Sequence, residues 1–539
     1  MPTQSSVACN LPTEILSYIF ALVRDAWPPT RTDPPDEGGQ TYDLGCIYIT
    51  HVCGLWRKVA LGTPTLWTNI DACLDIPLGL VPSILKRSGR LPLSLTFSLP
   101  NDEERRRTPD IQTILSTWLT DTVCSRLLSL TLEWFDRVEI DHVRPYLIRC
   151  MESLERFIFT ASNLSDNTGG ATQLPLDVCN SIKGSQLREL CLDDLMPVWE
   201  PATFCTTLTV LELHSYTGIP NPMLPTFQQL ADALTSLRSL ERLSLSDMFP
   251  DSEDLPSHDH YFSRIGLQPG FKELEIATYD AVESALDLLS HLVLPPSCTC
   301  HVEICDAEGI PVGSARQDVF TALVITLYHI RGVEHPPVKL IIDANMILLC
   351  QSEHAHPARC TADLSMSQDA YCLQPGDTQL HVLNGASSES ANPTRGIFAT
   401  PLQSLRAIGI QDGALQSIVH DDILSGLTAA CGVRRLDIEL LDSKAFLLEL
   451  TKRVHGGYHI FPLLEIIHFH RGHHGGASKV ETENLETECD ADVFALVDLA
   501  KDRKKKGAPL REVSVEKVFA EWNAWDAVRS YVSVTVLDS

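Results

Sequence analysis

The side chains of this 539-residue chain that could do chemistry are clustered histidines, scattered cysteines and one run of cations. His468, His470, His473 and His474 crowd into HFHRGHH, and neutral imidazole is a common metal ligand. No cysteine pair or carboxylate stands beside them at a helical or knuckle spacing, and His468 and His470 alternate about Phe469 as the polar side chains of a strand do. Cys298, Cys300 and His301, and farther on His354, His356 and Cys360, lack the paired C-x-x-C spacing of a zinc site. Lys501-Asp502-Arg503-Lys504-Lys505-Lys506, ahead of Gly507, fits the solvated C-terminal end of a helix, whose dipole attracts cations. There is no nucleophile elbow G-x-S-x-G, no phosphate loop G-x-x-x-x-G-K-[ST] and no dinucleotide turn G-x-G-x-x-G after a strand. The expectation is a protein without enzymatic activity, with no catalytic residue, no metal and no cofactor.

The elements that carry the chain begin at Leu11. In LPTEILSYIFALV, residues Ile15, Leu16, Ile19, Phe20 and Val23 fall on one face of a helix, with Pro12 suited to its first turn and Glu14 near the positive end of its dipole. After a polar insert at 24–44, rich in Pro, Asp and Gly and read as an exposed loop, a second apolar stripe follows: Ile49, Val52, Cys53, Trp56, Val59 and Ala60. Gly62-Thr63-Pro64 ends it, and Leu66 and Trp67 stand after it as anchors. So few helices cannot bury a sufficient core alone and need something to pack against.

Three blocks in order carry a resemblance to the F-box family in the form common in fungal proteins. They are L-P-x-E-I-L (Leu11, Pro12, Glu14, Ile15, Leu16), V-C-x-x-W-R-x-x-A (Val52, Cys53, Trp56, Arg57, Ala60) and T-P-x-L-W (Thr63, Pro64, Leu66, Trp67). The resemblance covers about the first eighth of the chain. It implies that Leu11, Pro12, Glu14, Ile15, Leu16, Ile19, Phe20, Val52, Cys53, Trp56, Ala60, Leu66 and Trp67 form or support a surface for a Skp-type adaptor, which links such proteins to a cullin ubiquitin ligase. The insert at 24–44 is longer than the link usual between the first two helices of that family.

The remainder is organised by the template L-x-x-L-x-L, aliphatic or aromatic substitutes allowed. It occurs at Leu127-Leu130-Leu132, Leu154-Phe157-Phe159, Leu187-Leu190-Leu192, Leu208-Leu211-Leu213, Leu240-Leu243-Leu245 and Phe271-Leu274-Ile276, at intervals of 27, 33, 21, 32 and 31 residues. It returns at Leu405-Ile408-Ile410, Val433-Leu436-Ile438, Leu464-Ile467-Phe469 and Leu510-Val513-Val515. Such intervals accommodate a strand, a turn and a return helix, near the leucine-rich-repeat period. Units of this kind bury their apolar faces only by stacking, which makes a parallel sheet. A first strand is read from the alternation Leu91, Leu93, Leu95, Phe97, and a helix from Ile111 to Val123. The region 292–400 departs from the template and holds CHVEICD, DVFTALVITLYHI, VKLIIDANMILLC and a polar loop GASSESANPTRG. A helix from Ala491 to Arg503 and a closing strand from Ser530 to Leu537 finish the chain.

The expected fold class is α/β: a helical F-box domain at 1–75, then an irregular leucine-rich-repeat-like solenoid at 76–539, distorted or interrupted at about 292–400. With 42 Lys and Arg against 70 Asp and Glu, a net charge of −28 argues against nucleic acid or an acidic membrane as partner. The 17 cysteines, several inside apolar stripes, and the polar Met1 to Asn10 point to a reducing cytoplasmic or nuclear setting. No apolar run approaches the length of about 20 residues that spans a bilayer. The expected function is a substrate receptor that brings an unknown protein target to a cullin ligase through a Skp-type adaptor. The alternatives are an F-box-like interaction scaffold without ubiquitin output and, more distantly, a metal-dependent enzyme built on the histidine cluster.

Overall fold

A computed structural model describes residues 11–32, 41–99, 111–161, 172–200, 204–215, 223–250, 264–279, 281–305, 322–327, 330, 335–342, 346–352, 375–383, 402–411, 414–415, 423–441, 443–470 and 482–537. It is a mixed α/β protein whose strands form mostly parallel sheet. The chain divides into two compact units, 1–255 and 256–539.

The first unit opens with α1 (Thr13–Ala26), α2 (Ile49–Val52) and α3 (Gly54–Leu61). Its sheet runs β1 (Asn69–Ile70), β2 (Leu93–Ser98), β3 (Leu127–Phe135), β4 (Arg156–Ala161), β5 (Glu189–Asp193), β6 (Val210–His214), β7 (Arg242–Ser246), every pair parallel. The strands return through α4 (Val81–Arg87), α5 (Ile111–Trp118), α6 (Arg137–Cys150), α7 (Leu176–Lys183) and α8 (Phe227–Ser236). Two of these helices start on reciprocal capping boxes, Asp136 with Glu139 and Thr226 with Gln229, which satisfy N–H groups the helix cannot satisfy itself.

The template residues lie in register. Leu95, Leu130, Phe157, Leu190, Leu211 and Leu243 occupy one row, and Phe97, Leu132, Phe159, Leu192, Leu213 and Leu245 the next. All of them are buried. Because side chains alternate along a strand, the residues between the leucines share the opposite face. There Arg156 meets Glu189 at 2.6 Å and Arg242 approaches Glu212 at 3.5 Å.

The second unit orders its strands β8 (Glu273–Thr278), β9 (Thr299–Cys305), β12 (Thr378–Leu383), β11 (Met346–Cys350), β10 (Lys339–Ile342), β13 (Ala407–Ile410), β14 (Arg435–Glu439), β15 (Ile466–His470), β16 (Glu512–Glu516), β17 (Ser533–Leu537). Only β11 runs antiparallel to its neighbours in this sheet among the described residues. Its helices include α9 (Val282–His291), α10 (Lys444–Glu449), α11 (Thr482–Lys505) and α12 (Trp525–Arg529). A row Ile408, Leu436, Ile467, Val513, Val534 again aligns the template across strands.

Several elements differ from expectation. The second apolar stripe is not one helix: Cys53 is extended (φ −158°, ψ 170°) and separates α2 from α3. Its Sγ accepts the Trp56 N–H at 3.4 Å, so the break also caps α3. The ends of the 24–44 insert are ordered as an antiparallel pair, Thr30–Thr32 with Thr41–Asp43, and 33–40 lie outside the described residues. The helix expected at Ile111–Val123 stops at Trp118 and a separate turn covers Asp121–Cys124. The apolar run VKLIIDANMILLC folds as β10 and β11, paired antiparallel. Periodicity carried no sign of the reversal, because each half is apolar almost throughout its strand; the sign was Asp343 and Asn345, turn-forming residues set between two apolar stretches. Helix α11 begins at Thr482, well before Ala491. The polar stretch GASSESANPTRG lies outside the described residues.

Candidate docking surface

Helix α1 is apolar over more of its circumference than its own chain covers. At 100° per residue, Leu16 and Phe20 occupy the buried side and both are fully enclosed. Ile19 and Val23 lie between and are half-buried. Ile15, Tyr18 and Leu22, at i, i+3 and i+7, form a second stripe that is 47%, 66% and 52% exposed. With the buried pair they spread over roughly 200° of the helix, about twice the width of an ordinary core-facing stripe.

What holds α1 is well defined. Trp56 of α3 packs on Phe20 with ring centroids 5.1 Å apart. The Arg24 guanidinium donates to the Thr65 carbonyl at 3.2 Å, and the Ser17 and Thr63 hydroxyls lie 3.0 Å apart. Trp67 Nε1–H donates to the Ala60 carbonyl at 2.9 Å, and the Arg87 guanidinium sits 4.8 Å over the Trp67 ring. Gly45, at φ +50°, packs so closely on Pro28 that a Cβ there would lie 2.4 Å from the Pro28 carbonyl oxygen, so only glycine fits.

The residues expected at an adaptor surface therefore separate into two groups. Leu16, Phe20, Ala60, Leu66 and Trp67 are buried in this chain and position the helices. Pro12, Glu14, Ile15 and Val52 are exposed, Val52 at 60%. Leu11, Ile19, Cys53 and Trp56 are half-buried. Tyr18, Leu22, Trp27, Tyr48 and Leu61 are exposed apolar side chains that the sequence reading did not single out. Seven of the eighteen large exposed apolar side chains among the described residues fall between Ile15 and Leu61, which concentrates them in the N-terminal helical head, residues 13–67. The signal that could have found Tyr18 and Leu22 is their spacing from Ile15.

The side chains first considered for chemistry are placed differently. His468 is buried beside Asp437, with Nδ1 3.7 Å from the carboxylate, and the His470 ring lies edge-on to it with centroids 6.3 Å apart. His473, His474, His354, His356 and Cys360 lie outside the described residues. Cys298 and Cys300 are buried free thiols. His301 stands 3.5 Å from Glu303; burial lowers its pKa, but the hydrogen bond to Glu303 and the charge of Glu275 outweigh burial and leave it raised. In the cationic run Arg503 departs from the solvated reading: it is fully buried, donates to the Phe461 and Leu464 carbonyls at 2.8 and 3.1 Å, and lies 4.3 Å over the Tyr458 ring. Burial pulls its pKa down to about 10. Lys501, Lys504, Lys505 and Lys506 are exposed.

Burial pushes the Cys46 thiol up to about 11 against the opposing pull of Arg24, which disfavours the thiolate. No helix among the described residues is long and apolar enough to cross a membrane. Compared with known families and curated proteins, the chain matches no family model and no curated sequence.

Proposed function

We propose that the chain is an F-box substrate receptor: α1 to α3 dock on a Skp-type adaptor that connects to a cullin ubiquitin ligase, and the strand-bearing remainder, a leucine-rich-repeat-like solenoid, holds a protein target. The observation that carries this reading is the Ile15, Tyr18, Leu22 stripe, with Val52, left in solvent on helices whose opposite side is anchored by Leu16, Phe20 and Trp56. Apolar surface concentrated in this way marks an interaction site. The solenoid reading is supported by nine template units whose strands fall in parallel register with one another, five in the first unit's sheet and four in the second's, with Arg and Glu side chains on the face opposite the leucines. Such a receptor acts by holding its target near enzymes carried elsewhere in the complex.

The experiment is capture of the purified adaptor by the full chain. Each large side chain fully buried at an interface contributes about 1.5–3 kcal/mol, so Ile15→Asp combined with Val52→Asp is expected to weaken capture by roughly a hundredfold or more. Undiminished capture by this double variant, with an unchanged melting profile, would falsify the proposed docking face. A cullin that fails to accompany the adaptor in extracts would favour the scaffold reading over the ligase reading.

A further inference from the structure

On the first unit's sheet, the face opposite the leucines brings together side chains that no local spacing joins. Cys191 and Asp193 alternate along β5 and point to that face, as do Glu212 and His214 on β6 and Ser244 on β7. The parallel register sets Asp193 opposite His214 and Cys191 opposite Glu212. As a result one atom each of Cys191 (Sγ), Asp193 (carboxylate O) and His214 (imidazole N) lie within 4.8 Å of one another. Asp193 Oδ1 is 2.9 Å from His214 Nδ1 and 3.6 Å from Cys191 Sγ.

We propose that Cys191, Asp193 and His214 bind a divalent cation of the zinc type. Thiolate, imidazole and carboxylate together select a borderline metal such as zinc or cobalt over magnesium or calcium, which take oxygen sets. Three protein ligands leave a fourth tetrahedral position for water or an incoming group. The outer contacts that such sites need are already made. His214 Nε2 lies 2.9 Å from Ser244 Oγ, which fixes the ring with Nδ1 turned toward Asp193 and Cys191, where an ion would take the place of the Nδ1–Asp193 hydrogen bond. The second oxygen of Asp193 accepts the Thr160 hydroxyl at 2.9 Å, which leaves Oδ1 facing the cluster. The ends of the strands are held too: the Asp194 N–H donates to the His214 carbonyl at 2.8 Å, and the Ser215 N–H to the Ser246 carbonyl at 2.9 Å. Cys191 is buried, while the Asp193 and His214 side chains keep 18% exposure each, enough for an ion to enter.

The same atoms could be taken for a Ser244, His214, Asp193 relay of the hydrolytic kind. Ser244 is 4% exposed in the middle of a strand. Backbone N–H groups there point in the plane of the sheet toward neighbouring strands, not toward a substrate on its face. The geometry that stabilises an oxyanion is therefore missing at Ser244, and Cys191 has no part in such a relay. The metal reading uses all three groups and both outer contacts.

Cobalt(II) titrated into the full chain, purified without metal, is the test, because thiolate bound to cobalt gives a charge-transfer absorption in the near ultraviolet. One cobalt per chain with that absorption is expected, displaced by zinc. Cys191→Ser, nearly isosteric, is expected to abolish the charge-transfer band, and His214→Gln, which removes a ligand, to weaken binding by more than the roughly 10- to 100-fold that loss of an outer contact costs. Ser244→Ala, which touches no metal, is expected to weaken it by about tenfold through the freed imidazole. Far-ultraviolet dichroism and thermal melting of each variant check that it folds. A band that persists in Cys191→Ser, or the absence of stoichiometric uptake by the folded wild type, overturns the proposal.

Discussion

Lys339 Nζ lies 2.5 Å from Asp437 Oδ2 although a whole strand, β13, separates their own strands. The side chains of β13 on that face are Ala407 and Gly409, register partners of Lys339 and Ile341, small enough for the lysine to reach across. A Cβ at Gly409 would already stand 3.2 Å from Ile341 Cγ1, so larger groups there would contend with the crossing. Arg435 Nε holds the other carboxylate oxygen at 2.7 Å. The second unit therefore carries a bonded charge cluster inside a sheet face, with Lys339 1% exposed.

Breaking that cluster from one side is expected to be costly. Asp437→Leu leaves Lys339 buried without its carboxylate, a change that removes about 3–5 kcal/mol in comparable cases. Adding Lys339→Met should restore much of the loss, since a buried ion pair replaced by apolar groups of similar size is often near neutral. Urea unfolding of the two single variants and the double variant measures this; losses that simply add would show that the pair is not coupled.

The acid limb of stability should report the same carboxylate. Burial alone would raise the Asp437 pKa, but the neighbouring His468 imidazole and the charges of Lys339 and Arg435, both hydrogen-bonded to the carboxylate, overcome it and hold the group well below the carboxylate range. A depressed folded pKa stabilises the fold above the unfolded value, about 3.9 for aspartate, and that contribution is lost as pH falls below it toward the folded value. Unfolding curves taken from pH 6 down to pH 3 should fall more steeply for wild type than for Asp437→Asn. Parallel pH profiles would contradict the assignment.

The body was legible because its template is short and its partners repeat. In Leu187-Leu190-Leu192 the strand occupies the last residues of the template and the first leucine lies two residues ahead of it, and the same holds at Val433-Leu436-Ile438. The cation cluster at Cys191, Asp193 and His214 was not read, since its members come from adjacent units. Aligning the unit that begins at Leu187 on the one that begins at Leu208 places Cys191 on Glu212 and Asp193 on His214, which is the observed register. The signal existed between units and was absent within any one of them. Helix continuity across Cys53 was misread for the opposite reason: apolar spacing persists through a residue whose thiol caps the next helix.

In the head, neighbouring residues on one helix should respond in opposite ways. Leu16 is fully enclosed, so Leu16→Asp places an unpaired carboxylate in the core and is expected to unfold the head or cost about 4 kcal/mol or more. Ile15 stands nearly half in solvent, and Ile15→Asp should change stability by about 0.5–1 kcal/mol at most. Thermal melts decide the matter, and comparable losses at both positions would mean that the Ile15 stripe is covered in solution.

Trp67 offers a way to separate the integrity of the head from its exposed surface. The ring is 5% exposed, its N–H satisfies the Ala60 carbonyl at the end of α3, and Arg87 of α4 lies over its face. Trp67→Phe keeps much of the apolar volume but removes the indole N–H, leaving the Ala60 carbonyl the longer Thr63 N–H at 3.5 Å, for an expected loss of about 0.5–1.5 kcal/mol. Trp67→Ala adds a cavity and should reach about 3–5 kcal/mol, whereas Arg87→Ala removes only a cation over the ring, worth about 0.5–1 kcal/mol at an exposed site. None of these changes touches Ile15, Tyr18, Leu22 or Val52. If the docking face is the exposed stripe, Trp67→Phe should lower the melting temperature yet leave adaptor capture by the folded protein unchanged, while Ile15→Asp should do the reverse. Loss of capture by folded Trp67→Phe at low temperature would move the binding surface from α1 toward the Pro64–Trp67 turn.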